Sequence, residues 1–339
     1  DMPYIFDVGD HCIYSVNVKM PEKAGLVWYY FELETERGMV YYGNNSKQLG
    51  GIGEMCFNSP SNSYQITVYN EDYKTPDWFK TGIAYQIFVD RFCNGNENGE
   101  FLGNRTDIIK RNWGEQPFYK AEQFGGEYKA NDFFGGNLKG VIKKLPYLKY
   151  LGISVIYLNP IFKAYSNHKY DTGDYETIDP MFGDEETFKE LCSKAKEMGI
   201  RIILDGVFNH TGSNSRYFNK YGEYDSVGAY QSKESPYYTW FRFMDWPDVY
   251  ESWWGMTTLP QIEEHSEECR KYLLSDKDAI VKRWIKNGAS GWRLDVVDEL
   301  PGFFVKELRE NVKKADKDAV IIGEVWEDAS NKSAYGERR

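Results

Sequence analysis

From Ile83 onward the chain alternates short apolar runs with longer amphipathic ones, and three of the apolar runs end in a carboxylate. The candidate strands are Ile83 to Val89, Ser154 to Leu158, Arg201 to Asp205, Gly291 to Val296 and Val320 to Val325. Helical spacing fills the stretches near Leu138 to Leu151, Asp184 to Met198, Ser275 to Asn287 and Phe303 to Lys314. Strands joined through helices pair in parallel, because a parallel return needs a long crossover. In a parallel barrel all strand ends of one kind open on one face, where active sites are found. The expected fold class is α/β: a (β/α)8 TIM barrel catalytic domain of which the sequence holds about the first five βα units, and therefore a piece of a longer barrel.

Residues 1–74 have a different texture. Alternating runs at Tyr14 to Val18, Leu26 to Leu33, Met39 to Tyr42 and Tyr64 to Tyr69 are separated by Asn44-Asn45, Gly50-Gly51 and Ser59-Pro60-Ser61. That pattern reads as a small all-β sandwich domain preceding the barrel. Residues 75–82, with Pro76, read as a linker and 83–339 as the catalytic domain. The segment 211–258 carries Tyr237, Tyr238, Trp240, Phe241, Trp246, Trp253 and Trp254. It is too long for an ordinary βα loop and is expected to form an inserted lobe.

Composition narrows the function classes. The net charge of -11 is spread along the chain and disfavours nucleic acid or an anionic membrane as partner. No window approaches the roughly 18 apolar residues that a membrane span needs. The 27 Tyr, 20 Phe and 10 Trp supply faces on which sugar rings can stack, as well as volume to fill a core. Five widely spaced cysteines, an odd number, argue against a disulfide framework. The cytoplasm is the expected compartment and secretion the alternative, since no signal pattern follows Asp1.

The carboxylates carry the chemistry. Asp205 ends Ile202-Ile203-Leu204, Asp295 ends Gly291-Trp292-Arg293-Leu294, and Glu324 ends Ile321-Ile322-Gly323. Glycosidic hydrolysis with retention needs one carboxylate to attack the anomeric carbon and one carboxylic acid to protonate the departing oxygen, about 5 Å apart. Asp295 and Glu324, on neighbouring strands, can meet that spacing. Arg293 shares a strand face with Asp295 and is expected to hold it ionised, while a less polar setting keeps Glu324 protonated. A single Asp at a strand end is usually a cap or a loop hydrogen-bonder. Three acids at successive strand ends of one face are a catalytic pattern.

Asp205-Gly206-Val207-Phe208-Asn209-His210, Gly291-Trp292-Arg293-Leu294-Asp295-Val296 and Gly323-Glu324-Val325-Trp326 resemble the successive signature strands of the α-amylase family, glycoside hydrolase family 13. Phe133-Phe134-Gly135-Gly136-Asn137-Leu138-Lys139-Gly140, Leu158-Asn159-Pro160-Ile161-Phe162 and Asn167-His168-Lys169-Tyr170-Asp171 resemble its neopullulanase and cyclomaltodextrinase branch. The β module is similar to the starch-binding-like domain that precedes the barrel in that branch. The resemblance covers about residues 80–330. It implies that Asp295 is the nucleophile, Glu324 the general acid/base and Arg293 the nucleophile's support. It implies further that His210 hydrogen-bonds the sugar before the scissile bond, that Tyr170 stacks on that sugar, and that Asp205 organises the pocket through Arg293 and Tyr170. Trp326 either contacts the leaving-group side or packs.

Two departures bear on specificity and completeness. Leu259-Pro260-Gln261-Ile262-Glu263 differs from the branch's Met-Pro-Lys-Leu-Asn, which leaves α-1,4 against α-1,6 cleavage open. The family's third catalytic acid, an Asp after a His at a later strand end, has no matching position, so a site built from these residues alone is expected to be incomplete and inactive. In the loop from Asn94 to Glu100, the side chains of Asn94, Asn96 and Asn98 would hold a structural calcium, or the loop is an ordinary polar turn; no cofactor is required. The expected function is retaining hydrolysis of α-glucosidic bonds in maltooligosaccharides, cyclodextrins, pullulan or starch. Transglycosylation by the same residues is the near alternative. A non-catalytic glucan-binding chain is the distant one, and the intact carboxylates disfavour it. Pairing into a homodimer is expected from the branch resemblance.

Overall fold

The computed structural model describes residues 1–327 and 329, and the backbone of 333–334 and 337–338. One compact unit takes in Asp1–Lys74 and a second begins at Thr75.

In the second unit, strands β1 (Ala84–Ile87), β2 (Val155–Leu158), β3 (Arg201–Gly206), β4 (Gly291–Leu294) and β5 (Val320–Gly323) form one sheet in sequence order. Every neighbouring pair is parallel. Helices α1 (Leu138–Tyr150), α2 (Glu185–Glu197), α3 (Ile280–Lys286) and α4 (Gly302–Ala315) follow the first four strands in turn. A doubly wound sheet reverses its strand order at a switch point. Here spatial and chain order run together, as in the wall of a barrel.

The two-residue period of the strands sorts their side chains between two environments. Ile156, Leu158, Ile202, Leu204, Trp292 and Leu294 face the helices and are fully buried with residues such as Leu145, Leu191, Trp284 and Leu308. In α4 the buried Phe304, Leu308 and Val312 recur every four residues, one stripe of a helix. Truncating such a side chain to Ala costs about 2–5 kcal/mol. On the opposite sheet face Val155, Ile203 and Val320 make a separate small cluster.

Local chemistry sets where the helices begin. Asn137 caps α1, its side chain accepting from the Gly140 N–H at 2.9 Å, and Asp184 caps α2 by accepting from Thr187 at 2.8 Å. A Cβ on Gly140 would lie 1.8 Å from the Cys93 carbonyl oxygen, so the Phe133–Gly140 motif lets α1 close against the loop after β1.

The structure adds detail to two of these segments. The residues read as a linker contain a one-turn helix, Asp77–Lys80, and the Trp78 indole donates to the Asp318 carbonyl at 3.0 Å. Trp78 and Phe79 pack on the Val155–Ile203–Val320 cluster, so two apolar rings turn a polar-looking tether into a plug. The aromatic segment 211–258 packs its rings on the core of the sheet. Its one hairpin, Phe243–Asp245 with Val249–Tyr250, is too short to cover the rings. Tyr217, Phe218, Trp240, Phe241 and Tyr250 are therefore buried in the same core as Leu204, Phe208 and Trp292.

In the first unit Tyr4–Val8 pairs with His11–Tyr14, Gly25–Tyr29 with Tyr64–Val68, and Phe31–Thr35, Gly38–Gly43 and Glu54–Cys56 form a three-stranded sheet. The expected strand at Tyr14 to Val18 lies earlier, because pairing ends where Tyr14 meets Tyr4. The run from Leu26 to Leu33 divides at Tyr30 between two sheets. Val40 and Tyr64 are buried, and the Tyr64 ring packs on Tyr29 at 5.3 Å and on Phe31 at 6.1 Å.

Candidate active site

Strand register assembles the acids. Asp205 lies beside Arg293 across β3 and β4, and Arg293 beside Ile322 across β4 and β5. Asp295 and Glu324 each follow such an inward residue by two positions and leave adjacent strands at the same end. Backbone bonds fix both: the Asp295 N–H donates to Gly206 O at 3.1 Å, and the Glu324 N–H to Leu294 O at 3.0 Å.

The Arg293 guanidinium ties the three carboxylates together. Its Nη1 donates to Asp295 Oδ1 at 2.8 Å and to both Asp205 oxygens at 3.0 Å, and its Nη2 meets Glu324 Oε1 at 2.5 Å. Because the fork is rigid and planar, these bonds keep the nearest Asp295 and Glu324 oxygens within about 8 Å of each other, inside the span glycosidases use. Glu324 Oε2 also accepts from the Val296 N–H at 3.1 Å. Val296 reaches that position with φ 43°, a left-handed conformation that is strained for a β-branched residue.

Asp205 is fully buried beneath the cluster. Besides Arg293 it accepts from the hydroxyl of Tyr170 at 3.1 Å and from that of Tyr157. The Arg293 guanidinium lies 5.6 Å and 6.0 Å from the Tyr157 and Tyr170 ring centres. His210, also buried, directs Nε2 at the Tyr170 carbonyl oxygen at 3.1 Å and packs its ring 5.2 Å from that of Trp253. The segment around Gln261 runs antiparallel to His210, with Ile262 N donating to Asn209 O at 2.9 Å. Trp326 is exposed and meets Trp254 edge-on at 5.4 Å.

The electrostatics differ from the sequence expectation in two respects. Burial, followed by the Asp205 charge, raises the Asp295 pKa to about 7 against the lowering effect of Arg293. One guanidinium shared among three acids does not hold Asp295 fully ionised at neutral pH. Burial likewise pushes Asp205 up to about 6 against the lowering effect of Arg293, Tyr157 and Tyr170. Glu324, expected in a less polar setting, instead has a guanidinium and a backbone N–H on its two oxygens. Burial pushes the His210 pKa down to about 4, so its imidazole is neutral near pH 7.

The structure thus brings together Asp205, Arg293, Asp295, Glu324 and Tyr170, with His210 bound to the Tyr170 backbone and Trp326 at an exposed rim. Tyr157 and Glu299 escaped the sequence reading, which placed Trp253 and Trp254 in the aromatic segment and not beside His210. Glu299 accepts from the indole N–H groups of Trp253 at 2.7 Å and Trp254 at 2.9 Å. Tyr157 sits inside the apolar run Val155–Leu158, where only its two-residue offset from Asn159 marks the inward face.

The loop expected to hold calcium satisfies itself. The Asn94 amide donates to the carbonyls of Gly99 and Glu100 at 3.0 and 3.1 Å, that of Asn96 to Glu100 O at 2.7 Å, and Asn98 Oδ1 accepts from the Glu100 N–H at 3.1 Å. Amide hydrogens donate to the Gly99 and Glu100 carbonyls, and among the described residues no group of three or more His, Cys, Asp or Glu side chains forms a metal-holding cluster. These residues as arranged do not fit a calcium cage.

Comparison with known proteins places this geometry. Residues 86–339 match the family model described as alpha amylase, catalytic domain. An amylopullulanase of Thermoanaerobacterium saccharolyticum is 42% identical over 332 residues, covering 90% of this chain and 26% of that protein. A cyclomaltodextrinase of Thermoanaerobacter pseudethanolicus is 41% identical over 266 residues, covering 75% of this chain and 41% of that protein. Among solved structures, the type III pullulan hydrolase from Thermococcus kodakarensis superposes with a TM-score of 0.65 at 33% identity, covering 89% of this chain and 51% of that one. This chain therefore spans well under two thirds of the length of these relatives. With its parallel wall and its match over residues 86–339, the chain belongs to the alpha-amylase family, whose catalytic domain is a TIM barrel.

Proposed function

We propose that the Asp205–Arg293–Asp295–Glu324 cluster hydrolyses α-glucosidic bonds in α-glucans such as maltooligosaccharides, cyclodextrins, pullulan or starch, with retention of configuration. The observation that carries this reading is one guanidinium bonded to both Asp295 and Glu324 at the strand ends. Glu324 gives its proton to the glycosidic oxygen while Asp295 attacks the anomeric carbon, forming a glycosyl-enzyme. Glu324 then takes a proton from the water that displaces Asp295. The first step needs Asp295 ionised and Glu324 carrying a proton. The shared Arg293 contacts both groups and stays cationic, which favours the charge on Asp295. Burial alone would lower the Arg293 pKa, but Asp205, Tyr157, Tyr170 and Asp295 raise it well above its ordinary value.

In this reading Tyr170 supplies the ring face for the sugar at Asp295, and its bond to Asp205 fixes its tilt. His210 holds the Tyr170 backbone and hydrogen-bonds the same sugar, and Trp326 meets the leaving-group side. The relatives' printed names, amylopullulanase and cyclomaltodextrinase, support an α-glucan as substrate. The five-stranded wall is read as the first five units of a (β/α)8 barrel, and residues 1–74 as a β-sandwich module that binds or presents glucan. A homodimer and a cytoplasmic location belong to the same reading, the latter supported by five free cysteines.

The test is the anomeric form of the first product released from an α-glucan, followed by NMR or polarimetry before mutarotation. The α-anomer is expected; the β-anomer would exclude a covalent Asp295 intermediate. A product longer than the substrate would favour transglycosylation on the same residues.

A further inference from the structure

Outside the catalytic cluster, the second unit holds a cavity of about 410 Å³ whose lining includes Arg105, Asp107, Lys163, Tyr165, Gly173 and Tyr224. None of Tyr170, His210, Arg293, Asp295 or Glu324 lines it. Its wall is the strand pair Phe162–Ala164 and Thr172–Ile178, whose connection carries Tyr170 around to the catalytic side. A Cβ at Gly173 would lie 2.7 Å from the Tyr224 hydroxyl and 2.9 Å from the Lys163 carbonyl, so the missing side chain admits the tyrosine.

The charges around this cavity cancel. Arg105 grips Asp107 through two bonds of 2.9 and 2.6 Å and donates to the Tyr165 carbonyl at 2.6 Å. Asp179 is bound by the buried Lys169 ammonium at 2.7 Å. The remaining pair, Lys163 and Glu223, is again of opposite sign. Among the described residues the Lys163 ammonium has no ion-pair partner. It sits over the Tyr224 ring, 4.3 Å from its centre. Asn104 and the hydroxyls of Tyr165 and Tyr224 likewise lack a hydrogen-bond partner among the described residues. A formally neutral hollow with two phenol rings and several uncommitted donors selects a ligand with apolar faces and many hydroxyls, and its volume falls in the range of about 300–1,000 Å³ usual for small-ligand sites.

We propose that this cavity is a second sugar-binding site, taking one or two hexose units of a neutral oligosaccharide apart from the catalytic cluster. That the sugar is an α-glucan rests on the function proposed above; the neutrality and hydroxyl-rich character of the ligand do not. Tyr224 offers a ring edge and hydroxyl, Lys163 and Asn104 donate to hydroxyl oxygens, and Asp107 and Glu223 accept from hydroxyl hydrogens.

Calorimetric titration of maltotriose into the protein carrying Glu324→Gln, which suppresses turnover, tests this. Two binding events are expected; adding Tyr224→Ala weakens one at least tenfold and spares the other, whereas adding His210→Ala does the reverse. Lys163→Ala, a partly exposed position, reads the same cavity if the tyrosine variant does not fold, with a weakening of about three- to tenfold expected. A single event lost with His210→Ala, or two events indifferent to both Tyr224→Ala and Lys163→Ala, would overturn the proposal. An event lost with Tyr224→Ala but none lost with His210→Ala would uphold the cavity and count against the catalytic reading. Tighter binding there of glucose 1-phosphate than of maltose would overturn the neutral-ligand assignment.

Discussion

Arg293 bonds Asp295 through one guanidinium nitrogen at 2.8 Å and Glu324 through the other at 2.5 Å, so the two acids compete for a single cation. Burial first, then the Asp205 charge, with a smaller contribution from Glu324, raise the Asp295 pKa to about 7 against the lowering effect of Arg293. Because the nucleophile must be ionised, kcat/KM is expected to climb as pH rises through about 7. A profile already flat from pH 5 upward would show that Asp295 ionises as an ordinary carboxylate.

The same burial has a cost in stability with a definite sign. A carboxyl whose pKa is raised by folding contributes stability below its unfolded value of about 3.9, and that contribution is lost as pH rises through the folded pKa. For Asp295 the window runs from about 4 to about 7. Asp295→Asn cannot ionise and should keep that contribution. Its melting temperature relative to the parent is expected to be higher at pH 8 than at pH 4.5, by a few degrees (roughly 2–8 °C). An equal difference at both pH values would contradict this account.

In turnover by a longer protein in which the barrel is complete, the same substitution is expected to be severe. Asp295→Asn and Glu324→Gln should each lower kcat on an α-glucan by at least about 10³-fold with little loss of glucan affinity, because they remove groups that act in the transition state. Activity within tenfold of the parent in either variant would remove the assignment.

Tyr157→Phe deletes one hydroxyl and keeps the ring. The lost hydrogen bond to Asp205 should raise the Asp205 pKa further and so weaken the negative charge that raises Asp295, moving the acidic limb of kcat/KM to lower pH, with kcat down by about tenfold and KM little changed. A lowered melting temperature with an unmoved pH profile would reduce Tyr157 to a packing residue.

Asp205, Arg293, Asp295 and Glu324 were legible because strand ends and a two-residue period fix which side chains converge, whatever surrounds them. Tyr157 was hidden by the same logic that places core residues: in Val-Ile-Tyr-Leu an aromatic reads as filling. The pKa of Asp295 was misjudged because sequence spacing gives the neighbour Arg293 but neither the depth of burial nor the number of acids sharing the cation. The plug made by Trp78 and Phe79, and the common core of segment 211–258, depend on contacts between residues far apart in the chain, such as Trp78 with Asp318. The bond from Trp253 to Glu299 spans 46 positions and leaves no local signal.

That bond is itself testable. Glu299→Ala releases both indoles, one of which supports His210. KM for maltotriose is expected to rise about three- to tenfold, with a change in tryptophan emission on ligand binding. An unchanged KM with altered emission would mean that the tryptophan pair does not shape the sugar site.

The most direct test of the central claim is to trap the glycosyl-enzyme with a fluorinated glucosyl fluoride that slows its breakdown, then locate the label by peptide mass spectrometry. The account predicts one hexose ester on the peptide containing Asp295, lost in Asp295→Asn. A label on Glu324 or Asp205, or turnover with inversion and no label at all, would contradict it.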